Sequence, residues 1–158
     1  MEYLYIGKIV NTHGIKGEIK LLSDFECKEE VFKNGINIYI GTSHIKEVIN
    51  TYRHHKIFDM LTLDNITNIN EVLKYKNEKV YVNKEEIDFS NKTLKTDLIN
   101  MEVYMDKKLI GKATEVRKNP GNDLLVVNET ILIPYIDKFI TVNDKNIEII
   151  NMEGLIWK

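Results

Sequence analysis

Short runs rich in Ile, Val and Tyr, separated by turn residues, dominate this sequence and restrict it to folds built mainly from β-strands. The runs form two sets of about six, one on each side of a polar segment. Their close spacing is typical of small barrels or sandwiches, and a closed barrel leaves no strand edge exposed. The predicted strands are residues 3–10, 18–23, 36–40, 44–52, 56–63, 80–82, 101–105, 110–118, 124–127, 130–133, 139–142 and 147–150.

Helical patterning is confined to two short segments. In the stronger one, residues 69–76, Asn68 can act as the N-cap and Glu71 occupies the capping-box position three residues later. A second helical turn is predicted within residues 27–33. Elements this short are expected to plug a barrel end rather than form a helical layer. The predicted buried face of the stronger segment comprises Ile69, Val72 and Leu73.

A polar segment near residues 84–96, KEEIDFSNKTLKT, has the composition of a linker and no sustained apolar periodicity. We therefore predict a mainly β protein with two small barrels. The N-terminal barrel is expected to span residues 1–87, the linker residues 88–96, and the C-terminal barrel residues 97–158.

Charge and targeting signals restrict the kind of partner and the compartment that we expect for this chain. Residues 1–89 carry 12 basic and 14 acidic residues, so any surface that binds nucleic acid must be local. Charge by itself favours a protein partner. The apolar runs are far shorter than the roughly 20 residues of a membrane helix, and the N-terminus lacks the pattern of a secretory signal. We expect a monomeric cytoplasmic protein that does not bind membranes.

Motifs for catalysis or cofactor binding do not occur in the sequence. It contains no GxSxG elbow, Walker loop, dinucleotide glycine fingerprint or His-x-x-x-His pair. Cys27 is the only cysteine, which argues against a disulfide or a cysteine-based metal site. We predict no enzymatic activity, no metal and no cofactor.

Two segments of the N-terminal half could contact RNA. The segment THGIKGE at residues 12–18 either is simply a glycine turn between strands or presents His13 and Lys16 to a polyanion. Its GIKG matches the GxxG loop of KH domains, but that loop joins two helices, so we exclude a KH domain. In the segment RHHK at residues 53–56, adjacent histidines point to opposite faces of a strand and are poor candidates to share a metal ion. This segment is either a plain hairpin tip or a basic RNA-facing one. The candidate RNA contacts are His13, Lys16, Arg53, His54 and Lys56.

Two segments of the C-terminal half have the residues of tight turns. Residues 119–123, NPGND, precede the apolar run LLVV, and Pro and Gly are sufficient to set such a turn. Residues 132–137, LIPYID, are compatible with a strand interrupted by Pro134. Taken separately, neither segment requires a function.

In combination and in order, however, the motifs resemble the RimM family of ribosome maturation factors along nearly the whole chain. GKIVNTHGIKGEIKLLSDF at residues 7–25 resembles the family's opening strand and His-Gly-x-x-Gly-Glu turn. LDNITNINEVLKYKNEKVYV at residues 63–82 is similar to the end of its first barrel. The remaining motifs in family order are DLINMEVY, GKATEV, PGNDLLVV and LIPYIDKFI within residues 97–140, and MEGL at residues 152–155.

The resemblance implies a translation-factor-like N-terminal barrel and a C-terminal barrel of the photosynthetic-reaction-centre (PRC) type. It also implies binding to the immature small ribosomal subunit, with assembly of its head and processing of its 16S ribosomal RNA. The implied protein partner is small-subunit ribosomal protein nineteen, bound mainly through the C-terminal barrel. Neither a cofactor nor a catalytic residue is implied. The expected partner-binding residues are Leu94, Asp97, Leu98, Gly121, Asn122, Asp123, Tyr135 and Phe139.

The sequence departs from the family pattern at the start of the C-terminal barrel. Relatives often carry two adjacent aromatic residues before the Asp-Leu pair, where this chain has Thr93 and Leu94. The family glycine that follows the pair is replaced by Asn100. A general protein–protein adaptor that acts through the C-terminal barrel is the alternative interpretation, and an RNA-processing enzyme is a weaker third.

Overall fold

The computed structural model describes residues 1–89 and 92–150 and divides the chain into two compact units, Met1–Asn91 and Lys92–Lys158. All twelve predicted strands are present, with ends that differ by up to three residues. The prediction of a mainly β fold is confirmed. The MEGL motif lies outside the described residues. In the described part of the chain, no helix has the length and apolar character needed to cross a membrane.

The N-terminal unit is a closed antiparallel barrel with strand order β1-β2-β5-β4-β3-β6. The first and last strands, which lie at opposite ends of the unit in sequence, pair and close it. The elements are β1 (Tyr3–His13), β2 (Glu18–Leu22), α1 (Lys28–Val31), β3 (Asn37–Ile40), β4 (Ile45–His55), β5 (Phe58–Leu63) and β6 (Lys79–Asn83). The short helical turn predicted within residues 27–33 is thereby confirmed as α1.

Alternation of apolar and polar residues places one face of each strand in the barrel core. In β1, Leu4, Ile6 and Ile9 are buried, and the register of β1 shifts both after Tyr5 and after Ile9. Such irregularities bend a strand and increase its twist, as closure of a small barrel requires. The remaining buried strand residues of this core include Ile19, Leu21, Ile38, Ile40, Ile49, Leu61, Leu63, Val80 and Val82.

Residues 69–76 form two successive 3₁₀ turns, Ile69–Glu71 and Leu73–Tyr75, so the prediction of one helix was wrong in type. The predicted cap is present, since the Asn68 side chain accepts a hydrogen bond from the Asn70 N–H at 2.8 Å. With three residues per turn, Val72 and Tyr75 lie on the same face and are buried, whereas Leu73 is 50% exposed. The α-helical spacing therefore misplaced Leu73.

The C-terminal unit has six strands in the order β10-β9-β8-β7-β12-β11, with β7 and β12 parallel and the other pairs antiparallel. Pro134 ends β10, an edge strand in this order, where the hydrogen bond that proline cannot donate is least costly. The elements are α2 (Lys95–Leu98), β7 (Glu102–Met105), β8 (Lys108–Arg117), β9 (Leu124–Val127), β10 (Ile131–Pro134), β11 (Ile140–Val142) and β12 (Asn146–Ile149). Its core comprises Leu98, Val103, Ala113, Leu125, Val127, Ile133, Ile140, Ile147 and Ile149.

Asn100 occupies the position at which the family resemblance predicts a glycine. Asn100 has a φ of 72°, in the left-handed region that glycine adopts freely and that asparagine tolerates. Its N–H donates to the Ala113 carbonyl at 2.7 Å. Asparagine is therefore a conservative replacement here.

Candidate binding surfaces

The glycine turn between β1 and β2 is shaped by close packing. Gly14 and Gly17 have φ values of 74° and 92°, and a Cβ atom on Gly17 would lie 3.0 Å from the Asn68 carbonyl oxygen. Glycine at position 17 is thus a structural requirement. The turn leaves the side chains of His13 and Lys16 exposed, so both can reach a ligand.

Arg53 is held by a partner that the sequence did not indicate. Its Nε and Nη2 atoms donate to the two carboxylate oxygens of Glu18 at 2.9 and 2.8 Å. The hydrogen bond from Arg53 lowers the pKa of the Glu18 carboxyl, and the same bond raises the pKa of the guanidinium. A phosphate that binds Arg53 must therefore either displace the Glu18 carboxylate or share the guanidinium with it.

His54 belongs to a network around a buried carboxylate. Its Nδ1 atom lies 3.3 Å from Oδ1 of Asp59, whose side chain is fully buried. Oδ1 also accepts from the Tyr52 hydroxyl at 2.7 Å, and Lys28 Nζ lies 2.9 Å from Oδ2. His54 thus has a structural contact, while His55 and Lys56 lie exposed at the hairpin end.

Sequence reasoning missed Asp59, although the strand pattern contained a signal for it. Asp59 shares the inward-facing alternation of Leu61 and Leu63 in β5, and a carboxylate at such a position requires partners. Two of these partners come from β4, and the third, Lys28, comes from α1.

The loop that precedes β9 is anchored at Asp123. Its Oδ2 atom lies 2.8 Å from Lys95 Nζ, Oδ1 accepts from the Asn119 N–H at 3.4 Å, and the backbone carbonyl accepts from the Tyr135 N–H at 2.8 Å. Gly121 and Asn122 remain exposed. Asp123 therefore positions the loop, and its exposed tip is formed by Gly121 and Asn122.

Three of the expected partner-binding residues lie in or beside α2, and their contacts are within the C-terminal unit. Leu94 and Leu98 are buried, with exposed fractions of 1% and 0%. The Asp97 carboxylate accepts from the Leu94 N–H at 3.1 Å and so caps the short helix. The two leucines can support a binding surface but cannot contact a partner directly.

A cleft of about 460 Å³ opens on the C-terminal unit. Thr93 contributes to its wall. Tyr135 also lines the cleft, and half-buried Phe139 packs against the core with Lys138 Nζ 5.6 Å from its ring centroid. Such a concave site with mixed polar and apolar walls can receive a partner's side chain. The lining residues are Thr93, Tyr135, Ile136, Asp137, Ile140, Thr141 and Val142.

Replacing Asp123 by asparagine is expected to lower the free energy of unfolding of the C-terminal unit by about 1 kcal/mol at pH 7, because it removes a partly exposed ion pair. The Lys95 hydrogen bond lowers the pKa of Asp123. This stabilisation is complete at pH values above the pKa of the unfolded state, which is about 4. It is lost as the pH falls through the lower pKa of the folded state. Urea unfolding at pH 7 and at decreasing pH measures the difference, and a difference that grows toward acid would contradict the assignment.

No group of three or more His, Cys, Asp and Glu side chains within residues 1–89 and 92–150 is arranged to hold a metal ion. What the described surfaces offer is exposed basic residues on one unit and a cleft with a neighbouring loop on the other. Together with the fold, these features define a two-domain β protein with surfaces suited to binding a partner.

Comparison with known proteins gives the family. Residues 4–87 match the model of the RimM N-terminal domain, and residues 95–154 match that of the RimM PRC barrel domain. The chain belongs to the RimM family of ribosome maturation factors. It is 40% identical to ribosome maturation factor RimM of Bacillus subtilis strain 168, over 96% of this chain and 95% of that protein. Identity to the RimM of Exiguobacterium sp. strain ATCC BAA-1283 / AT1b is 35%, over 99% and 98%.

A solved structure of a 16S ribosomal RNA processing protein RimM from Pseudomonas aeruginosa is also similar. It aligns with 96% of this chain and 98% of its own length, at a TM-score of 0.46 and 16% sequence identity. The family assignment rests on the two domain models and on the relatives that match along nearly the full length.

Proposed function

We propose that this protein acts in the cytoplasm as an assembly chaperone of the small ribosomal subunit. It binds the immature subunit and assists assembly of the head and processing of the 16S ribosomal RNA. The observation that carries the proposal is the nearly full-length similarity to proteins named ribosome maturation factor RimM. Binding, rather than catalysis on the RNA, is the proposed mode of action.

The proposed mechanism is preferential binding to a precursor conformation. A factor shifts a conformational equilibrium only by the difference between its affinities for the two states. A tenfold preference for the productive precursor corresponds to about 1.4 kcal/mol. A weaker affinity for the mature head would also release the factor when assembly is complete.

The C-terminal unit is the proposed site for small-subunit ribosomal protein nineteen. Tyr135 and Phe139 supply partly exposed aromatic surface at and beside the cleft, and Asn122 supplies exposed hydrogen-bonding groups on the neighbouring loop. Aromatic residues that fill or border pockets often dominate the energy of an interface. Buried Leu94 and Leu98 hold this surface in place.

The N-terminal unit is the proposed RNA-facing part. His13 and Lys16 on the glycine turn and Lys56 at the hairpin end are exposed and can approach phosphates. Arg53 already contacts Glu18, and His54 already contacts Asp59. Each can contribute only if a phosphate displaces that carboxylate or shares the side chain with it. We therefore expect the turn to contribute more than the hairpin.

Co-sedimentation with precursor small subunits at physiological salt tests the proposal. The double variant Tyr135→Ala/Phe139→Ala is expected to bind roughly 30-fold more weakly, because loss of an aromatic hot spot costs about 2 kcal/mol. Tyr104→Ala, which truncates another half-buried tyrosine of the C-terminal unit, serves as the matched control. Thermal unfolding must show that all variants are folded. Failure of the unaltered protein to sediment with precursor subunits would refute the proposal.

A general protein adaptor is the second candidate, because the N-terminal half is slightly acidic and Glu18 neutralises Arg53. Salt dependence separates the two functions. Contacts with phosphates weaken steeply as salt rises, whereas a protein interface responds much less. Association that is insensitive to salt would favour the adaptor.

A further inference from the structure

The outer face of the N-terminal barrel carries a row of tyrosines on three neighbouring strands. Tyr5 lies directly opposite Tyr81, and Tyr81 lies opposite Tyr39, so the row crosses β1, β6 and β3. The residues that precede and follow them, such as Leu4, Val80 and Val82, are buried in the barrel. Strand alternation therefore places the tyrosines outside. We call Tyr3, Tyr5, Tyr39, Tyr81 and His44 the tyrosine face.

The rings of the tyrosine face support one another and leave a partly open platform. The Tyr5 and Tyr81 rings meet edge to face, with centroids 6.0 Å apart and an interplanar angle of 69°, so each ring presents its own face, and Tyr3 stacks on His44 at 3.9 Å. Tyr5 is 48% exposed, whereas Tyr39 is almost covered and its hydroxyl donates to Glu86 at 2.8 Å. These contacts fix the positions of the rings and leave the Tyr5 ring accessible to a ligand.

Two lysines beside the platform occupy an electrostatically unfavourable arrangement. Lys8 and Lys79 are exposed cross-strand partners on β1 and β6. Like charges directly opposite one another destabilise a sheet, and an anion bound between them would relieve the repulsion. Lys79 Nζ also lies 6.0 Å from the Tyr5 ring centroid, so the charge and the ring can act on one ligand.

Acidic groups near the face are few and partly engaged. Glu86 accepts hydrogen bonds from Tyr39 and from the Asn37 amide. Asp24 is close enough to contribute, after burial, to raising the pKa of the Tyr5 hydroxyl. The Glu78 carboxylate lies near Gly41, where a Cβ atom would be 2.8 Å from Oε2. Among the residues that the structure describes, neither Lys8 nor Lys79 forms an ion pair with a carboxylate.

We propose that the tyrosine face binds an unpaired segment of RNA, with bases stacking on Tyr5 and Tyr81 and phosphates contacting Lys8 and Lys79. The inference rests on the proposed function and adds a second RNA-binding surface to it. Aromatic platforms flanked by cations are the usual means of binding single strands, because every base has a flat apolar face. A purely apolar protein partner would leave the repulsion between the lysines uncompensated.

Fluorescence anisotropy with labelled 12-nucleotide single-stranded RNA tests the proposal, with duplex RNA of equal length as comparison. Tyr5→Leu and Tyr81→Leu, which keep apolar bulk but remove the ring, are each expected to weaken single-strand binding about tenfold. Lys8→Gln/Lys79→Gln is expected to reduce the slope of log affinity against log salt by about 1.4. Tyr104→Leu and Lys107→Gln/Lys108→Gln, in the C-terminal unit, are the matched controls.

The outcomes separate this inference from the proposed function. If the unaltered protein sediments with precursor subunits but the tyrosine variants bind single strands as it does, the tyrosine face is not an RNA platform. The inference also fails if these variants lose subunit association while keeping oligonucleotide affinity, since the face would then contact protein. Loss of single-strand binding in folded variants, with the controls unchanged, supports it. Failure of the unaltered protein to sediment would instead refute the proposed function.

Discussion

Replacing Asp59 by alanine is expected to lower the free energy of unfolding of the N-terminal barrel by about 2 kcal/mol. The Asp59 carboxylate is fully buried and joins Lys28, Tyr52 and His54. Its removal leaves three partly exposed donors without their acceptor and opens a small cavity. Urea denaturation monitored by circular dichroism measures the loss, and Glu85→Ala, at an exposed position of the same unit, is expected to change stability by less than about 0.5 kcal/mol.

The same network sets a pH window for stability. Burial raises the pKa of Asp59, but hydrogen bonds from Tyr52, Lys28 and His54 outweigh burial and hold the pKa below its usual value. The contribution of Asp59 to stability is complete at pH values above the pKa of the unfolded state, which is about 4. It is lost as the pH falls through the lower pKa of the folded state. Burial, with the bond to Asp59, raises the pKa of Tyr52 to about 12. That contribution is complete below about pH 10 and is lost as the pH rises through about 12.

The pH dependence also gives the decisive comparison for Asp59. The difference in stability between the unaltered protein and Asp59→Ala should be nearly constant at neutral pH and decrease toward acid. A variant as stable as the unaltered protein at pH 7 would show that the network does not stabilise the barrel. Tyr52→Phe, which removes only one donor, should cost about 1 kcal/mol.

Gly111→Ala is expected to destabilise the C-terminal unit by about 3 kcal/mol. Gly111 has a φ of 154°, and a Cβ atom there would lie 2.2 Å from both terminal atoms of the Asn128 side chain. That side chain is not free to move, because it accepts from the Lys112 N–H at 3.1 Å and donates to the Ile110 carbonyl at 3.0 Å. The substitution therefore combines backbone strain with loss of a bridge between β8 and the residue following β9.

Gly121→Ala is a control of matched chemistry, since a Cβ atom at Gly121 meets no atom within 4 Å. It should change the unfolding free energy by less than about 0.5 kcal/mol. Gly111→Ala/Asn128→Gly should recover part of the loss, because the clash is gone while the strain remains. Equal stability of Gly111→Ala and Gly121→Ala would contradict the proposed role of the Asn128 bridge.

Local patterns predicted the strands well and the short helical segment less well. Strand alternation extends over whole elements, so the register of buried residues could be read from the sequence with small errors at the ends. Residues 69–76 are too few for intrinsic helix propensity to dominate. Their contacts with the barrel determine the 3₁₀ conformation instead. The Ile69 N–H donates to the Ile15 carbonyl, and Val72 and Tyr75 are buried in the core.

The candidate sites were only partly predictable, for a different reason. Exposed His13 and Lys16 follow from a turn whose glycines are visible in the sequence. The pairing of Arg53 with Glu18 could not be foreseen, because it joins positions 35 residues apart. Likewise, the sequence placed Leu94 and Leu98 among the binding residues, while the fold buries them.

The sequence by itself determined the β class, the number of strands, the glycine turn and, through its ordered motifs, the RimM family. Tertiary structure decided how β1 and β6 close the barrel, which basic side chains stay available, and that Tyr5, Tyr81 and Tyr39 form one row. The physical reason is that alternation and turn geometry act between near neighbours in the chain. Ion pairing and ring stacking depend instead on strands brought together from distant positions.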